Sequence, residues 1–109
     1  ISGGENVYPT EIEAILAQHP DVKDVAVIGR PDEKWGERVE AAVVLRDGST
    51  LTGPALIDWS KDRLAGFKRP RHVLFLEPHE MPRNATGKIL HRVLRDMMGA
   101  QDQSIGEIL

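Results

Sequence analysis

The sequence predicts a small α+β domain, in which a mixed sheet of about three strands is covered by helices. Three observations lead there. Apolar residues recur at helical spacing in three separate stretches. Three short runs rich in Val, Ala, Ile and Leu stand between them. Glycine, proline and Asp-Gly turns divide the one kind of segment from the other. The order is helix, two strands, helix, strand, helix, and 109 residues suit one domain.

Each element has its own signal. Pro9 opens the first helix, at a position where its missing N–H costs nothing, and Ile12, Ile15 and Leu16 supply the apolar stripe. His19-Pro20 stops it. Val22 to Gly29 reads as a strand, and Pro31-Asp32 marks a turn. Val39 to Leu45 reads as a second strand, ended by Asp47-Gly48. Thr52 is a suitable cap for a helix carrying Leu56, Ile57 and Leu64, with Gly66 closing it. Val73 to Leu76 is a third strand, followed by the polar loop EPHEMPRNATG. Ile89, Leu90, Val93, Leu94, Met97 and Met98 form the stripe of a last helix. Residues 99–109 read as a weakly ordered tail, leaving 1–98 as the domain proper.

Composition excludes several classes. No apolar run approaches the roughly 20 residues that span a bilayer. The opening ISGGENVYP has neither the basic start nor the apolar stretch of a signal peptide. The chain opens without Met, in mid-motif, which points to a fragment of something longer. The absence of cysteine removes disulfides, a thiolate nucleophile and a thiolate metal site, and fits the cytoplasm. The net charge of −3 argues against nucleic acid as a partner. Its distribution is uneven: −5 over residues 1–66, +4 over 67–98 and −2 over 99–109. A local basic segment on an acidic domain suits a small anion better than a long polyanion.

Four segments could carry chemistry. In ISGGENVYPTEIE, the pair Gly3-Gly4 lets another group approach the backbone closely; a helix-entry loop explains the same residues. In PDEKWGE, Trp35 before Gly36 could flank a ligand or form a lid over the core. In AGFKRPRH, Lys68, Arg69 and Arg71 follow the aromatic Phe67 and could bind phosphate, or could be a solvated basic loop. In MPRNATGKILHRVLR, Pro82 and Gly87 bracket a stiff loop, with Lys88 placed where the helix begins. A lysine there can present a point charge to a carboxylate or a phosphate, or have no task beyond starting the helix. A P-loop is rejected, because Pro82 stands where a glycine is needed and Ile89 where a Ser or Thr is needed. The four histidines, His19, His72, His79 and His91, lack metal-ligand spacing and read as surface residues, so no metal site is expected.

Together the four segments resemble, in order and spacing, the C-terminal domain of the adenylate-forming superfamily of acyl-CoA synthetases, peptide-synthetase adenylation domains and luciferases. SGGENVYPTEIE is similar to the motif after the hinge, VAVIGRPDEKWGERVEAAVVL to the central strands, and LAGFKRPRHVLFLE and PRNATGKILHRVLR to the end segments. The likeness covers roughly residues 1–98, and the wording GEN, GFKRP and TGK looks most like fatty and aromatic acyl-CoA ligases.

The resemblance implies a two-step reaction. A carboxylic acid and Mg-ATP give an acyl-adenylate and pyrophosphate; coenzyme A then displaces AMP to give the thioester. It implies that this small domain turns between the steps and works against a large N-terminal domain, which holds the acyl pocket, the nucleotide loop and the Mg2+ that accompanies ATP. By the same resemblance, Lys88 is the catalytic lysine of adenylation, and Gly3 and Gly4 line the pantetheine tunnel. Trp35, Phe67, Lys68, Arg69 and Arg71 fall near positions that contact CoA. PRNATGK also resembles the surroundings of lysines modified by protein acetyltransferases, which makes such an enzyme a further expected partner. Alternatives are an adenylation domain loading a carrier-protein phosphopantetheine, or a stand-alone module without catalysis.

Overall fold

A computed structural model describes residues 9–32 and 36–108, with side chains for 9–31 and 36–99. The elements are α1 (Pro9–Leu16), β1 (Val22–Asp32), β2 (Gly36–Leu45), α2 (Gly53–Ser60), β3 (Pro70–Phe75) and α3 (His91–Ile108), with single 3-10 turns at Gly66–Lys68 and Pro78–Glu80. The strands form one sheet in the order β1-β2-β3. β1 pairs antiparallel with β2, from Val22 opposite Leu45 to Asp32 opposite Gly36, and β2 pairs parallel with β3. The antiparallel pair is joined by a short connection, whereas the parallel pair needs the α2 crossover. The expected mixed three-stranded sheet with helical cover is therefore present.

The two-residue period of the strands divides the interior into two cores. Val25, Val27, Val39, Ala41 and Val43 face α1 and α2, where they meet Ile12, Leu16, Leu56 and Leu64. Ala26, Ile28, Ala42 and Val44 face the other way and meet Met81, Leu94 and Met98. Central β2 is covered on both faces, which is why Val39–Val44 is buried throughout and its sequence does not alternate. Glu13 of α1 reaches outer strand β1, where its Oε2 accepts the Val27 N–H at 2.7 Å. Together with Asp24 Oδ1 on the Val25 N–H and Arg95 Nε on the Gly29 carbonyl, that contact covers groups along the outer edge of β1.

Several boundaries differ from the sequence reading. Pro31-Asp32, read as a turn, continues β1 beyond Gly29 and pairs with Glu37 and Gly36, so β2 opens at Gly36 and not at Val39; an edge strand accommodates the proline because its outward side needs no ladder N–H. Thr52 caps α2 as expected, accepting the Ala55 N–H at 3.2 Å, but the helix ends at Ser60, well before Gly66. The carbonyls of Lys61 and Leu64 accept from the Arg69 side chain instead of from a continuing helix. β3 starts at Pro70, ahead of Val73, because the first residue of an edge strand needs no ladder N–H. The last helix starts at His91, so Ile89 and Leu90 precede it, and its backbone runs on through residues 99–108, the stretch read as a tail. Nor are all four histidines mere surface residues. His19 packs edge-on against Trp59, with ring centroids 5.0 Å apart, and its Nδ1 accepts the Asp21 N–H. His91 Nε2 lies 2.9 Å from Glu13 Oε2, tying the start of α3 to α1.

Candidate functional site

Lys88 stands three residues before α3, in a closed loop rather than at the helix start. The loop is pinned at its base: Arg83 and Ile89 form an antiparallel bridge, and the Leu90 N–H bonds the Pro82 carbonyl at 2.9 Å. Arg83 also donates to the Gly87 carbonyl at 2.6 Å and pairs with Asp24 of β1, which fastens the loop to the sheet. Gly87 has φ +87°, a conformation that side chains other than glycine adopt only at a cost. Met81 and Ile89 pack into the core on the α3 face.

Inside the loop, one side chain does most of the bonding. Asn84 Oδ1 accepts from Lys88 N–H and Thr86 N–H, each at 3.0 Å, and from the Thr86 hydroxyl at 2.7 Å. Asn84 N–H donates to the Lys88 carbonyl, and the Asn84 carbonyl accepts from Gly87 N–H, both at 2.9 Å. The Lys88 side chain itself is exposed and has no hydrogen bond or ion pair among the described residues. The arrangement is a single unneutralised ammonium on a rigid mount. Chemically it can meet a carboxylate or phosphate delivered from outside the domain.

The basic segment lies on the other side of the sheet. Phe67 and Lys68 belong to the 3-10 turn between α2 and β3, and Lys68 Nζ reaches Glu11 of α1 at 3.0 Å, 5.7 Å from the Phe67 ring centroid. Arg69 donates from Nε to the Leu64 carbonyl at 2.9 Å and from Nη2 to the Lys61 carbonyl at 2.6 Å. Arg71 is exposed and donates to the Gly66 carbonyl at 2.7 Å. The structure thus brings Phe67, Lys68, Arg69 and Arg71 together on the α1/α2 side, whereas the loop that carries Lys88 is anchored in the α3-side core. Gly3, Gly4 and Trp35 lie outside the described residues.

Two features carried no usable signal in the sequence. Asn84 is one polar residue in a polar loop, and only its spacing to Thr86 and Lys88 hinted at an Asx-type turn. Glu40 is buried on the α3 face of β2, where Arg30 Nη1 meets one carboxylate oxygen at 3.1 Å and Arg38 Nε the other at 2.6 Å. No group of three or more His, Asp or Glu among the described residues could hold a metal ion. No described helix is long and apolar enough to cross a membrane.

Comparison with known proteins identifies the family. Residues 11–88 match the family described as the AMP-binding enzyme C-terminal domain. A long-chain-fatty-acid–CoA ligase of Mycobacterium tuberculosis is 50% identical over 100 residues, which is 92% of this chain and 19% of that ligase. An indoleacetate–CoA ligase of Aromatoleum aromaticum is 46% identical over 98 residues, 90% of this chain and 19% of the other. The crystal structure of ATP-bound MatB from Rhodopseudomonas palustris superposes with a TM-score of 0.82 at 40% identity, over 89% of this chain and 19% of that one. A Mycobacterium tuberculosis fatty acyl CoA synthetase gives the same TM-score at 48% identity, over 93% and 20%. The chain therefore spans about a fifth of the length of the relatives it matches. With its motifs, its two-faced sheet and this match in view, the chain belongs to the family of AMP-binding enzyme C-terminal domains.

Proposed function

We propose that the chain is the mobile C-terminal domain of an acyl-CoA ligase, which joins a carboxylic acid to coenzyme A at the expense of ATP. The observation that carries this reading is the placement of the two charged segments. The loop that carries Lys88 is anchored in the α3-side core, while Phe67 to Arg71 sit on the α1/α2 face. A domain that serves two reactions in turn needs two such faces. In the first, the acid's carboxylate oxygen attacks the α-phosphorus of ATP and pyrophosphate leaves. Lys88 meets the carboxylate and the phosphoryl oxygens as charge builds on them. In the second, the CoA sulfur attacks the acyl carbonyl and AMP leaves. Gly3 and Gly4 give room for pantetheine; Phe67, Lys68 and Arg71 form the side toward the CoA nucleotide, with Trp35 a further contact to it and Arg69 bracing the turn beneath them.

The Mg2+ that travels with ATP is assigned to the large partner domain. The cysteine-free composition is in keeping with a cytoplasmic enzyme. Relatives named for long-chain fatty, indoleacetic and succinylbenzoic acids match at 50, 46 and 44% identity, so similarity in this domain does not track the acid. The acid is chosen elsewhere. Exposure of Lys88 makes it accessible to a protein acetyltransferase, and acetylation would remove its charge. Site mapping after incubation with such an enzyme tests this; full adenylation by protein acetylated at Lys88 refutes it.

The half-reactions test the main reading. In a full-length ligase carrying this domain, Lys88→Ala should lose adenylation by about 10²–10³-fold, measured by pyrophosphate exchange. It should still convert supplied acyl-adenylate and CoA to thioester. Gly4→Leu should do the reverse. Equal slowing of both steps by Lys88→Ala would refute the assignment.

A further inference from the structure

We infer that Asn84 is a positioning residue for Lys88, an inference that rests on the reading of Lys88 as the adenylation lysine. The ammonium of Lys88 has no partner among the described residues, so nothing at its tip sets its direction. Direction must come from the backbone that launches it. Both peptide groups flanking the Lys88 Cα are held by Asn84: its Oδ1 takes the Lys88 N–H at 3.0 Å, and its own N–H binds the Lys88 carbonyl at 2.9 Å. The same Oδ1 binds Thr86 twice, which closes the turn from within.

The base of the loop does not depend on that oxygen. The Arg83–Ile89 bridge, the Leu90–Pro82 bond and the Arg83–Asp24 pair hold it from outside. Loss of the Asn84 side chain therefore loosens the stretch from Ala85 to Lys88 and leaves the domain standing. A lysine displaced by about 1 Å can forfeit on the order of 10²-fold in rate, because the approach of reacting groups tolerates little error. Substrate binding, which the lysine shares with a whole partner domain, should suffer less. The loss belongs in kcat and not in KM.

The test uses a full-length ligase carrying this domain and four variants: Asn84→Ala, Asn84→Asp, Lys88→Ala and the double variant Asn84→Ala/Lys88→Ala. Adenylation is followed by pyrophosphate exchange, and thioester formation by AMP release from supplied acyl-adenylate and CoA. Asn84→Ala should lower the adenylation kcat by about 10–10²-fold while thioester formation holds. Asn84→Asp keeps an oxygen at the Oδ1 position and should recover most of that rate. The double variant should be no slower than Lys88→Ala, since a residue acting only through Lys88 has nothing further to lose. Full adenylation by Asn84→Ala beside a defective Lys88→Ala overturns the inference and leaves the reading of Lys88 intact. So does a double variant whose losses multiply, or equal damage to both half-reactions. An active Lys88→Ala overturns both, because there is then no catalytic lysine to position.

Discussion

Arg69 offers a direct test of whether the basic segment is spent on the fold or held for a ligand, and Arg69→Ala is the perturbation. The guanidinium bonds two main-chain carbonyls, Leu64 at 2.9 Å in a half-buried setting and Lys61 at 2.6 Å at the surface. A hydrogen bond to a charged group contributes roughly 1.5–3 kcal/mol, and exposure brings the outer one well below that range, so the pair should contribute about 2 kcal/mol. In a domain of this size each kcal/mol moves the midpoint by about 4–8 °C, so unfolding should come on the order of 10 °C earlier. Arg69→Lys keeps the charge and loses the planar fork, so it should recover only part of the loss. The assay is thermal unfolding of the 109-residue chain followed by circular dichroism, with the KM for CoA of the full-length variant measured beside it. Arg71 gives the contrast. It is exposed, and its replacement by Ala should leave the midpoint nearly in place and raise the KM for CoA by about tenfold. A wild-type midpoint for Arg69→Ala together with a raised KM for CoA would refute the structural account and return Arg69 to the ligand.

Other perturbations follow from the same geometry. Glu40→Ala strips the carboxylate from between Arg30 and Arg38; these are 14% and 29% exposed and can turn partly to water, so a loss of about 2–4 kcal/mol is expected in urea unfolding. Gly87→Ala places a methyl group at φ +87° and should cost about 1–2 kcal/mol or reshape the loop, seen as slower adenylation with unchanged thioester formation. Leu94→Ala opens a hole in the α3-side core and should cost about 2–5 kcal/mol in the same unfolding assay. The isolated chain should fold yet release no pyrophosphate from ATP with any acid in a broad panel, and sustained turnover would contradict its role as one part of a larger enzyme.

The legible parts of the fold were those in which a local pattern met no competitor. Thr52 and the central run Val39–Leu45 were readable because a cap and a fully buried strand each have a local signature. The end of α2 was not, since Leu64 keeps the helical period and is buried, yet reaches the core from a turn whose carbonyls Arg69 has taken. Pro70 hid the start of β3 in the same way: an edge strand tolerates what a central one forbids. Lys88 stood out through its motif, but its mount did not. The bonds of Asn84 run within five residues, and nothing in composition marks which asparagine in a polar loop will make them. The Glu40 cluster depends on strand register, which brings Arg30 opposite Arg38 and is invisible until β1 and β2 are paired.

The sheet that parts the two cores also limits what passes between them. Ile12 and Leu16 share no cluster with Leu94 and Met98, and the strands between them are rigid and hydrogen-bonded on a fixed grid. Away from the Glu13–His91 tie, changes on opposite sides should then combine additively. A substitution in one core should therefore leave the loop anchored in the other in place.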